Sequence, residues 1–172
     1  ARNGLSFSYP NYEDLRAARG GAIEDAAAFA TTAMSLRTAD GAARLWGQLY
    51  SGNTFAVLGV RPAIGRLIAE SDNRVRNGHP VVVIGHDFWQ RRFGGRADAL
   101  GQVLTLNGTA FTIIGVASPR FRGTQVALQF DVFVPLMMEP VFYQGDRLGD
   151  RGHGWLQVLA RAVGLSPRLA LR

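Results

Sequence analysis

The stretch 102–118, "QVLTLNGTAFTIIGVAS", constrains the fold more than any other part of the chain. Two runs of alternating apolar and polar residues flank Asn107-Gly108. Asn-Gly accepts positive φ at both central positions of a type I′ turn, and that turn twists in the same sense as the strands it joins. The spacing predicts an antiparallel hairpin. A second hairpin is predicted upstream, where "FATTAMSLRT" and "AARLWGQLYS" are joined through Ala39-Asp40-Gly41. There Leu45, Gly47 and Leu49 alternate with Trp46, Gln48 and Tyr50, the period of a strand.

Helical signals lie between these hairpins and at the start. "SYPNYEDLRAARGG" places Pro10 where a helix begins, expects Glu13 and Asp14 in the first turn, and ends at Gly20-Gly21. Tyr12, Leu15 and Ala18 make its apolar stripe. Asn53 is expected to cap a short helix, "TFAVLG", that stops at Gly59. "HDFWQRRFGG" reads as a helix with Phe88, Trp89 and Phe93 inward and His86 near the N-cap. "PVVVIG", "DVFVPL" and "WLQVLARAV" read as strands, residues 69–79 and "YQGDRLGDRGHG" as loops, and Ser166-Pro167 as a further helix start. Hairpins mixed with scattered helices indicate an α+β fold and not a regular βαβ alternation.

Composition narrows the function classes. Of 172 residues, 47% are apolar and 19% charged, enough for a real core and too apolar for disorder. No apolar run approaches the ~20 residues that span a bilayer. The absence of cysteine excludes disulfides and thiolate chemistry. The net charge is +6, yet all 19 basic residues are arginine and they are scattered. The densest groups, Arg74/Arg76 and Arg91/Arg92/Arg96, lack the interleaved aromatics of single-strand binders, so no nucleic-acid partner is assigned.

"SGNTFAVLGVRPAIGR", residues 51–66, is the stretch most like a phosphate loop, and it fails that test. A Walker A loop needs G-x-x-x-x-G-K-[ST]; here the Gly59–Gly65 spacing is wrong and Arg66-Leu67 follows. A Rossmann fingerprint opens a helix, whereas Gly59 is expected to close one. The segment is read as architecture. Gly52, Asn53, Phe55, Gly59, Pro62, Gly65 and Arg66 shape it, with Trp89 and the turn pair Asn107 and Gly108 as further structural positions. Phe55, Val57 and Leu58 are expected to supply core contacts. His79, His86 and His153 show no metal-ligand spacing, and adjacent acids such as Glu13/Asp14 point apart on a helix. No catalytic, cofactor-binding or metal residue is assigned. Phe130 and Phe133 are expected in the core; Phe142 and Tyr143 are left open between core and partner surface.

Five segments in order, "FSYPNYEDLR", "SGNTFAVLGVRPAIGR", "VVVIGHDFWQRRFGG", "LGQVLTLNGTAFTIIGVASPRFRG" and "DVFVPL", resemble the MacB-like periplasmic core domain of FtsX-like ABC-transporter permeases. The resemblance runs from about Phe7 to Val163. The "SYP-x-Y-x-D-L" start and the "P-x-F-R-G" segment are most similar to acidobacterial-type orphan permeases. It implies a non-enzymatic, periplasmic domain of a bacterial inner-membrane protein, joined to transmembrane helices of the same chain. It also implies two lobes: a porter-like lobe of βαβ-type units from residues 1–58 and 146–172, cut short at its C-terminal end, and an inserted mixed α/β lobe from residues 59–145. Expected partners are a separate cytoplasmic ATPase, periplasmic or outer-membrane proteins, and a second copy of the full-length permease. The expected role is to couple conformational change to transport or to a periplasmic partner. The alternative is a ligand-binding or assembly domain of the cell envelope without transport.

Overall fold

β1, Ile23–Thr38, is a strand of 16 residues on which the whole sheet is built. The computed structural model describes residues 6–125 and 127–164; the helix start expected at Ser166-Pro167 lies outside them. Along the chain come α1 (Tyr9–Ala17), β1, β2 (Gly41–Tyr50), α2 (Thr54–Leu58), β3 (Pro62–Gly65), β4 (Val81–Ile84) and α3 (His86–Phe93). β5 (Val103–Leu106), β6 (Thr109–Ala117), β7 (Val132–Pro135) and β8 (Gln157–Ala162) follow, with short 3-10 turns at Glu70–Asn73, Ala97–Ala99 and Leu136–Val141. The result is a mixed, sheet-dominated α/β fold.

Both predicted hairpins form. β1 pairs antiparallel with β2 from Phe29↔Tyr50 to Thr38↔Gly41, and β5 pairs with β6 around Asn107 (φ 47°) and Gly108 (φ 82°). Two parallel pairings, β2 with β7 and β4 with β6, add to them. The order β1-β2-β7-β4-β6-β5 returns to β1, so six strands close a ring. The closing seam is narrow: Leu36 opposes Leu106, and Asn107 adds its own rungs. Its amide donates to the Ser35 carbonyl at 2.8 Å, and its side-chain oxygen accepts from the Ser35 amide at 2.8 Å. The turn residue therefore also locks the ring. β8 extends the free half of β1, and β3 extends β6.

Strand alternation sorts the core into two clusters. Leu49, Val82, Ile84, Val132 and Val134 share one, and Tyr50, Val83 and Phe133 share the other. A bulge at Ile114, where Val82 opposes Ile113 but Val83 opposes Gly115, shifts β6 by one residue. In the second cluster Tyr50, Phe55, Phe121 and Phe133 lie with ring centroids 5.0–5.7 Å apart, a spacing aromatic pairs favour. Phe130 is buried beside them. Phe142 packs on Phe111 at 5.8 Å and Tyr143 on Trp155 at 5.6 Å, both half-buried against the first cluster.

Several local expectations change. α1 starts at Tyr9, capped by the Ser8 hydroxyl, which accepts from the Asn11 amide at 3.3 Å; Pro10 is in the first turn, but Glu13 and Asp14 fall in the second. Ala18 is exposed, so the apolar stripe narrows to Tyr12 and half-buried Leu15. His86 is the first residue inside α3, and Gly85 takes the cap position. Strands within residues 59–145 pair with strands outside that range, β7 with β2 and β5 with β1.

Candidate functional site

The stretch 51–66 is where the chain leaves the β1–β2 hairpin, and its polar residues turn inward. Ser51, Asn53 and Thr54 are all buried. The Ser51 amide donates to the Ala28 carbonyl and its hydroxyl accepts from the Ala28 amide, both at 2.9 Å. That hydroxyl donates to Asn53 Oδ1 at 2.8 Å. Asn53 Nδ2 donates to Asp25 Oδ2 at 2.9 Å and to the Ala26 carbonyl at 2.7 Å. The Tyr12 hydroxyl reaches Asn53 Oδ1 at 3.4 Å. One amide side chain thus ties α1, β1 and α2 together.

This corrects the expectation that the Asn53 side chain caps α2. Asn53 holds the N-cap position but makes no capping bond. Its backbone is helical (φ −97°, ψ 0°), whereas a capping side chain requires an extended residue; the amide goes to β1 instead. Asp25 is partly buried, which acts to raise its carboxyl. The bonds from Asn53 and the Ala26 amide, with Arg16 beside it, outweigh burial and hold it below the usual range.

The remaining positions of the stretch set close approaches. A Cβ on Gly52 would stand 2.6 Å from Glu70 Cα. Gly59 closes α2 in the left-handed region at φ 66°. Phe55 is buried and Leu58 packs on the second cluster, but Val57 is only half-buried and its carbonyl accepts from Arg161. Pro62 opens the edge strand β3. Arg66 grips Asp72 with two bonds, 2.7 and 2.9 Å, and this guanidinium is the main reason the Asp72 carboxyl lies low. Trp89 is remote; its indole donates to the Arg96 carbonyl at 2.8 Å. The structure gathers residues 52–66 along one path and leaves Trp89 and the Asn107-Gly108 turn elsewhere. Among the described residues, no three His, Cys, Asp or Glu side chains converge as metal ligands.

Glu139 escaped the sequence reading. It sits in the 3-10 turn after β7, fully buried, and neither carboxylate oxygen has a hydrogen-bond partner among the described residues. Arg76 Nη2 lies 3.8 Å away, while Arg76 Nη1 bonds Asp146 at 3.0 Å. Burial pushes the Glu139 carboxyl above its ordinary value of 4.5; Arg76 and Arg147 oppose this, and Asp146 adds to it. A carboxyl raised in the folded state binds its proton more tightly there than in the unfolded chain. Its contribution therefore weakens stability as pH rises from about 4.5 through the raised value. Glu139→Gln is expected to gain stability over wild type progressively across that range. Thermal unfolding of both proteins between about pH 4 and 8 checks this; a pH-independent gap between the two curves would refute it. The signal was a lone acid inside the apolar run "VPLMMEPV".

The family model of the MacB-like periplasmic core domain matches residues 1–164. A probable export ATP-binding/permease protein of Pseudomonas fluorescens (strain Pf0-1) is 36% identical over 81 residues, 47% of this chain and 12% of that protein. The chain thus covers only a small fraction of this relative's length. Among solved structures, the periplasmic region of MacB from Actinobacillus actinomycetemcomitans is similar with a TM-score of 0.67 at 17% identity, over 98% of this chain and 71% of that one. The extracellular domain of the noncanonic ABC-type transporter YknZ from Gram-positive bacteria is similar with a TM-score of 0.66 at 17% identity, over 92% and 74%. These two likenesses are of fold. No helix among the described residues is long and apolar enough to cross a membrane. With 164 consecutive residues matched, the chain belongs to the MacB-like periplasmic core domain family.

Proposed function

We propose that this chain is the extracytoplasmic part of an ABC-type permease, and that it couples conformational change to transport or to a periplasmic partner without chemistry of its own. The observation that carries this reading is the family match over residues 1–164. The packing is consistent with a mechanical role. Buried side chains such as Asn53 and Gln48 spend their polar atoms on other elements of the fold; Gln48 bonds Thr31, Tyr50 and Thr124 at 2.8–3.0 Å. On this reading the chain is held by transmembrane helices of the same polypeptide at a bacterial inner membrane, works with a separate cytoplasmic ATPase, and pairs with a second copy. The division into a lobe of residues 1–58 and 146–172 and a lobe of residues 59–145 belongs to the same proposal, with the β2–β7 and β1–β5 pairings as the joints between them.

The test uses the full-length gene product. Membranes are fractionated, and protease is added to intact spheroplasts. The expected result is a membrane-bound product cut within this segment from outside. A soluble product, or a segment protected until the cells are lysed, would overturn the proposal.

A further inference from the structure

The segment "SPRFRG", residues 118–123, follows directly on β6. The Phe121 amide donates to the Ser118 carbonyl at 3.0 Å, so residues 118–121 form a tight turn. The Ser118 amide donates to the Arg61 carbonyl at 3.2 Å, which fixes this turn beside the chain emerging from α2. Between residues 59–61 and 118–121 lies an open cleft of about 330 Å³, at the lower end of the range for small-molecule sites.

Its lining has two characters. Val60, Pro119 and Phe121 make it mostly apolar, and Phe121 is the outer ring of the aromatic cluster, 5.6 Å from Phe55 and 5.3 Å from Phe133. The floor is thus backed by packed rings. The charged groups on the wall are Arg61 and Arg120, both exposed. Among the described residues neither has a carboxylate within ion-pairing distance, whereas eight of the fourteen other described arginines are paired. Arg122 stands one residue further on, in a neighbouring depression that shares Phe121.

We propose that this cleft binds a single-chain carboxylate amphiphile, its apolar chain over Phe121 and Val60 and its carboxylate between Arg61 and Arg120. Guanidinium groups recognise carboxylates through paired N–H donors, and two of them without acidic partners select an anion over a cation. A small, fully hydrated anion would leave the apolar floor uncovered, so the chain and the charge are both part of the recognition. The inference does not depend on whether the domain serves transport.

The test titrates decanoate, below its micelle-forming concentration, into the 172-residue chain and follows backbone amides by NMR. Decyltrimethylammonium serves as the cationic probe and acetate as the probe without a chain. Saturable shifts at the amides of 59–61, 118, 120 and 121 are expected with decanoate and with neither of the others. Arg61→Glu/Arg120→Glu should weaken decanoate by about tenfold or more, and Arg61→Gln/Arg120→Gln by a smaller factor, each with the wild-type melting temperature. Three results would overturn the proposal: no decanoate shifts at these residues, equal binding of the cationic probe, or unchanged affinity in both double variants.

Discussion

Gly115→Ala is expected to lower the stability of this domain by about 3 kcal/mol, the upper end for overpacking a filled interior. Gly115 and Gly65 face each other across the β3–β6 pair. A methyl group on Gly115 would overlap the Arg66 carbonyl, and one on Gly65, at φ 68°, would overlap the Ile114 carbonyl. The obstacle in both cases is backbone, which has no rotamer to change. Arg66 is held there by its own amide, which bonds the Ile114 carbonyl at 3.0 Å, and by its double bond to Asp72. Relief therefore requires β3 to leave β6, with loss of the Arg66 bond. For a chain of this size the melting temperature is expected to fall by roughly 10 °C. Urea unfolding measures the effect; a loss below about 1 kcal/mol would mean that β3 shifts freely and that the close approach is not what demands glycine.

The second large effect is at Asn53. Truncation to alanine removes four contacts and leaves the buried Ala26 carbonyl, the buried Ser51 hydroxyl and the partly buried Asp25 each one partner short. Orphaned buried polar groups cost about 1–3 kcal/mol each, so Asn53→Ala is expected to lose about 2–3 kcal/mol. The loss should also carry a pH signature. Asp25 lies below its usual range in the folded state, so its contribution is present at neutral pH and is lost as pH falls through that depressed value. Without Asn53 the depression shrinks and the acid limb of the stability curve flattens. The Asp25→Ala/Asn53→Ala double variant should lose less than the sum of the single variants. Additive losses would show that the two side chains do not act together.

How far the sequence could be read depended on the range of the interaction. Both hairpins were legible because Asp40-Gly41 and Asn107-Gly108 specify their turns locally. The strands at 81–84 and 132–135 were legible as strands, but their parallel pairing was not, since Gly47 meets Val132 only after the chain has gone around the ring. The first six residues of β1 were missed. "IEDAAA" lacks alternation and its alanines are weak strand formers. Ala26, Ala27 and Ala28 are all buried because β8 pairs along one side of them, Ser51, Asn53 and Thr54 bond the other, and α1 and α2 pack on β1. Small residues there let Tyr12 and Asn53 reach the β1 backbone. Asn53 itself was legible as a position and not as a role, since its partners lie 27 and 28 residues away. Glu139 and the arginines of the cleft became meaningful only when burial and distance were known.

Ring closure also decides where this protein can be joined by a stranger. Strands invite new strands at open edges, and among the described residues the ring strands commit most of theirs to one another, although β5 meets β1 only where Leu36 opposes Leu106. β3 is a poor template, only four residues long and headed by Pro62, which offers no amide hydrogen. That leaves β8, six residues from Gln157 to Ala162, flanked by β1 and touched at its start by the bridge between Phe7 and Leu156. Among the described residues, unwanted association and purposeful docking by strand addition share β8 as the longest strand outside the ring.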